Sequence, residues 1–174
     1  MRYVVLVAMS ILGTILSGSV FSNINLWGLQ IDIVLIMILA LVLTEKTAMP
    51  IIFAAVTGLL MDITYSTVLG MYAVSYTVAA AVAFMVLRKT EKQTILHLFF
   101  VGVGGYIIKE SVMAFIVFAQ GARNFDFFAI LARYILPSAA LCGGLLILAY
   151  FLISRLYKNA WMRPRTSGHY MDEL

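Results

Sequence analysis

Apolar residues fall into six runs close to twenty residues long, separated by short polar connections. The runs cover residues 3–21, 26–43, 48–65, 68–87, 94–119 and 129–154, and each has about the length needed for a helix to cross the hydrocarbon layer of a membrane. The second and third are the shortest. At about 1.5 Å per residue, 18 residues cover about 27 Å, so these two are expected to stand nearly upright or to be sheltered by protein. The connections, such as Ser66-Thr67 between the third and fourth runs, leave no room for a soluble domain.

The polar connections also set a direction. With the N-terminus inside, Arg2, Lys46, Arg88, Lys89, Lys92, Arg155, Lys158, Arg163 and Arg165 fall on the cytoplasmic side, and only Arg123 falls outside. An excess of Lys and Arg marks the cytoplasmic face. The expectation is an all-α integral membrane protein with six transmembrane helices, N-in and C-in, in one domain over residues 1–154. Residues 155–174 form a basic cytoplasmic tail. The competing reading makes the first run a cleaved signal peptide, on the strength of Arg2, the apolar core and Ser17-Gly18-Ser19. The last four residues, MDEL, do not form a lumenal retention signal.

Composition agrees with lipid as the main solvent. The chain of 174 residues is 63% hydrophobic and 11% charged, against roughly 25% charged for a soluble domain. The net charge of +4 does not indicate nucleic acid, because the basic residues lie between apolar runs rather than on one face with aromatics. The single cysteine, Cys142, excludes an internal disulfide.

Against this background the charges inside the runs stand out. Counted along helices from the cytoplasmic end, Asp62 lies about 21 Å up, Lys109 about 22 Å and Asp32 about 17 Å. Glu110 follows Lys109, and Arg133 lies near the outer start of the sixth run. A carboxylate within a spanning helix costs roughly 2.5–3.5 kcal/mol at the membrane centre and less toward an end. Asp32 sits near the start of its helix, where the dipole favours a negative charge. Asp62 sits near the end of its own, where the dipole opposes it. An ion-paired cluster in the outer layer accounts for all five, with Asp62 facing Lys109 or Arg133. Such a cluster serves either internal structure or contact with a partner or ligand.

Chemistry by side chains finds no support. His97 and His169 are the only histidines, no Ser-His pair shares a depth, and GVGG at 102–105 lacks the lysine and hydroxyl of a phosphate loop. Small residues are plentiful instead. Ser75, Ala79 and Ala83 share a face, as do Ser10, Gly13 and Ser17, while Gly102, Gly104 and Gly105 crowd the fifth run. Such faces let helices approach closely in lipid, within the chain or against another membrane protein.

The segment QIDIVLIMILALVLTEKTAMPIIFAAVTGLLMDITYSTVLGMYAVSYTVAA resembles the MreD family of rod-shape-determining proteins. The resemblance rests on Asp32 opening one run, on Gly58-Leu59-Leu60 followed by Asp62, and on Leu69-Gly70 opening the next; Ile31 stands where the family usually has Pro. It implies a six-span fold similar to the substrate-binding subunits of energy-coupling-factor transporters. It also implies a non-enzymatic, cofactor-free, multi-pass subunit of the cell-elongation complex in the bacterial inner membrane, concerned with peptidoglycan synthesis. Its partners would be MreC and, through it, MreB, RodA and a class B penicillin-binding protein. The polar cluster of Asp32, Asp62, Gly70, Lys109, Glu110 and Arg133 is then the expected partner site. The alternative is a vitamin-type binding subunit of a transporter, with Tyr65, Tyr72 and Tyr106 lining an outward pocket.

Overall fold

The computed structural model describes residues 11, 13–15, 31–45, 47–66, 68–88, 94–121 and 135–157. Within these residues the chain is helical, and no strand occurs. The helices are α1 (Ile33–Thr44), α2 (Met49–Tyr65), α3 (Met71–Leu87), α4 (Ile95–Ala119) and α5 (Leu136–Tyr157).

Local chemistry sets most of the helix ends. Asp32 is the N-cap of α1, and its Oδ1 accepts the Leu35 N–H at 3.0 Å. The expected start of this element at residue 26 is therefore corrected: Ile31 and Asp32 are non-helical, and residues 26–30 lie outside the described residues. Pro50 occupies the first turn of α2, where a missing N–H leaves no bond unmade. The α2–α3 turn is pinned by Ser66, whose Oγ donates to the Val68 carbonyl and accepts the Val68 N–H. Gly70 then takes φ +98°, a left-handed conformation open to glycine at little cost, and starts α3.

The bundle is built around α1. Val34, Leu35, Ile38, Leu39 and Ala40 are almost fully buried, and α1 touches all four other helices. Neighbours in sequence pack in turn, α2 on α3, α3 on α4 and α4 on α5, forming an arc around the central helix. Small residues make the closest approaches. A Cβ on Gly58 would sit 2.5 Å from the Ala73 Cα, and one on Gly102 would sit 2.6 Å from the Gly143 Cα. Ser75, Ala79 and Ala83 are all buried, so that face of α3 serves internal packing. Ser75 and Thr77 return their hydroxyls to the carbonyls of Met71 and Ala73, which satisfies them inside their own helix. Gly13 lies against Met37 and Val34. The rest of that small face, Ser10 and Ser17, is outside the described residues.

Outward surfaces are apolar. Ile52, Val56, Leu59 and Ile63 form an exposed stripe along α2, and Phe100, Phe115 and Phe118 are exposed on α4. By length and composition α4, at 25 residues, can cross a membrane alone; the other described apolar helices are shorter.

Candidate functional site: a charged node at one end of the bundle

Lys109 projects from α4 into the end of the bundle where α1 begins. Its Nζ lies 3.3 Å from Asp32 Oδ2 and 2.6 Å from Glu110 Oε1. Asp32 is held from three sides, because Oδ2 also accepts the Tyr76 hydroxyl at 2.8 Å while Oδ1 caps α1. Two rings flank the ammonium, Tyr106 at 5.6 Å and Tyr76 at 6.0 Å from their centroids. Tyr106 is hydrogen-bonded in turn to Ser138 on α5. The node thus ties together α1, α3, α4 and α5. An unpaired charge buried here would be severely destabilising, whereas a pair with its remaining hydrogen bonds filled is tolerated.

Asp62 does something different from what its depth suggested. It is almost fully buried, and no ion pair joins it to Lys109. Its carboxylate accepts three backbone N–H groups, from Gly70 at 3.0 Å, Tyr72 at 2.8 Å and Ala73 at 3.0 Å. Those groups are the unsatisfied donors at the N-terminus of α3, where the helix dipole is positive. The expected Asp62–Lys109 pair is therefore corrected: the Asp62 carboxylate is met by the N-terminus of the next helix, and Lys109 pairs with Asp32 and Glu110 instead. Arg133, the other expected partner, lies outside the described residues. Asp62 and the node are still neighbours through Tyr72, whose amide serves Asp62 and whose ring stands 5.9 Å from Tyr76.

The other candidate residues separate. Gly70 acts through its backbone, as N-cap of α3 and donor to Asp62. Glu110 belongs to the node. Tyr65 reaches the Thr14 carbonyl at 3.3 Å. His97 lies in the first turn of α4, and its Nε2 is buried without a hydrogen bond among the described residues. Tyr76 is the residue that sequence reasoning passed over. It is fully buried, and a tyrosine four residues after Tyr72 on a mostly apolar helix needs a partner for its hydroxyl.

Among the described residues no group of three His, Cys, Asp or Glu could hold a metal ion. The arrangement of Asp32, Lys109 and Glu110 is mostly buried and holds helices together at the end of the bundle where α1 begins. No known protein-family model, curated protein or solved structure matches this chain.

Proposed function

We propose that this protein is a multi-pass subunit of the bacterial inner membrane that holds other membrane proteins of the cell-elongation complex, in the manner of the MreD family. The observation that carries the reading is the charged node of Asp32, Lys109 and Glu110 at one rim of a bundle whose outward faces are apolar. In lipid, association comes from close packing and sheltered polar contacts, and this surface offers both. The six-span, N-in and C-in topology belongs to the same proposal. It rests on the Lys/Arg distribution, on the length of α4 and on exposed side chains such as Ile63 and Phe115. MreC is the proposed direct partner, with MreB, RodA and a class B penicillin-binding protein reached through it.

Depletion in a rod-shaped cell tests this reading and is expected to round the cells. Purification in mild detergent should recover MreC with the chain. A second reading, a small-molecule-binding transporter subunit, draws on Tyr76 and Tyr106 flanking Lys109. Normal rods after depletion, with an ATPase-linked transport subunit copurifying, would select it.

A further inference from the structure

Helices α2 and α3 carry their own polar partners. Each has 17 residues, and together they make the most extensive helix contact among the described residues. Between Lys46 and Arg88 the chain holds one charged residue, Asp62. Its carboxylate takes the N–H groups of Gly70, Tyr72 and Ala73, all from the following turn and the start of α3. The turn itself is closed in the same way. The Ser66 N–H donates to the Asp62 carbonyl, while the Ser66 hydroxyl donates to the Val68 carbonyl and accepts the Val68 N–H. Thr64, Ser75 and Thr77 each donate to a carbonyl of their own hairpin. Two tyrosine hydroxyls reach beyond it, Tyr65 to the Thr14 carbonyl and Tyr76 to Asp32.

A helix that starts in water can find partners for its first N–H groups in the solvent. The same groups passing through hydrocarbon must bring their partners with them. The surface of the turn fits such a passage. Leu69 at its tip is 76% exposed and Ile63 just before it 73%, whereas the carboxylate is turned inward and almost fully buried.

We infer that α2 and α3 enter the membrane together as a preformed hairpin, turn first, with the Asp62 clamp closed before the charged node is assembled. The inference rests on the multi-pass reading with this turn on the outer side. Lys46 and Arg88 stay inside as the ends of the hairpin, and Leu69 leads through the bilayer. The contacts of Tyr65 and Tyr76 form afterwards, docking the inserted hairpin on its neighbours. This order reverses the sign expected from hydropathy. A carboxylate by itself hinders insertion, so its removal would help. Here its removal opens three backbone donors in exchange for one carboxylate, and the donors weigh more.

The test follows L69C in a C142S background, using the full chain made in a short pulse. Spheroplasts receive a maleimide that cannot cross membranes, and the labelled fraction of newly made chains is followed from the earliest time. The parent is expected to label from outside at once. D62A is expected to lose most of that early labelling, and D62N to keep more of it because one acceptor remains. G102V forces α4 away from α5 and leaves the hairpin untouched, so it should label early like the parent even where the finished protein is unstable. Early labelling of D62A equal to the parent's, or above it, overturns the inference and leaves the clamp a feature of the finished fold alone. Equal losses in D62A and G102V overturn it as well, because labelling then tracks the stability of the whole bundle. If the parent itself is not labelled from outside, the topology reading fails first and the inference falls with it.

Discussion

At the scale of single residues, the two aspartates differ in what neutralises them, and this separates their expected mutants. Asp62 serves three backbone donors, so D62A leaves buried N–H groups unmatched and is expected to cost about 3 kcal/mol. D62N keeps an acceptor and should cost less. Thermal unfolding in detergent measures both. A charge exchange, D62K with K109D, should fail to rescue, because the two residues share no bond. For Asp32 the cap and the ion pair can be separated. Asn caps a helix as well as Asp does, so D32N keeps the cap and loses the oxygen that faces Lys109 and the Tyr76 hydroxyl, whereas D32A loses the cap as well; D32A is expected to be the less stable by about 1 kcal/mol. Depth arithmetic along the helices put Asp32 and Lys109 in one charged layer but paired Lys109 with Asp62, whereas its partner is Asp32. It missed the partner of Asp62 because it compared side-chain charges and the dipole of that residue's own helix. The answer lay a few residues on, where Leu69-Gly70 announces the start of another helix with its free N–H groups.

Among the helices, those with clear end signals were legible. Helices α2, α3 and α4 begin and end within three residues of the apolar runs read from the sequence, since Pro50, Gly70 and Gly121 mark their boundaries in chemical terms. Helix α1 was less so. Its run IVLIMILALVLT is apolar on every side, which tells of burial but not whether protein or lipid does the burying; the structure puts it at the centre of the bundle. Nor did the glycine-rich stretch of α4 reveal which glycines touch a neighbour. Gly102 meets the Gly143 backbone, and a Cβ on Gly105 would lie 2.7 Å from Leu39, whereas one on Gly104 meets nothing within 4 Å. The same substitution should therefore have opposite outcomes. G102V must push two backbones apart and is expected to lose about 3 kcal/mol or more, at or above the top of the usual overpacking range, while G104V should accumulate and unfold like the wild type. Equal behaviour of the two variants would contradict the packing of α4 on α5.

For the molecule as a whole, what matters is which solvent faces which surface. Ile63, Leu69, Met85, Phe115 and Leu148 are each more than half exposed, and so many large apolar side chains on one small bundle exceed what a monomer in water usually tolerates. The proposed lipid solvent removes that conflict and fixes a direction, since nine of the ten basic residues outside the apolar runs lie on one side of the predicted topology. Leu69, in the α2–α3 turn, is then on the outside, at the same end as the Asp32–Lys109 node, and the tail holding Arg163 and Arg165 is on the inside. This direction can be read chemically. Cys142 is the only cysteine and is buried, so C142S provides a background without a native thiol. In that background L69C, at a position 76% exposed, should react in intact spheroplasts with a maleimide that cannot cross membranes. S167C in the tail should react only after the membrane is opened. The reverse pattern would invert the topology and place the node of Asp32, Lys109 and Glu110 on the cytoplasmic side, out of reach of a partner's outer domain. Labelling of both positions in intact cells would remove the membrane barrier between them and, with it, the multi-pass reading.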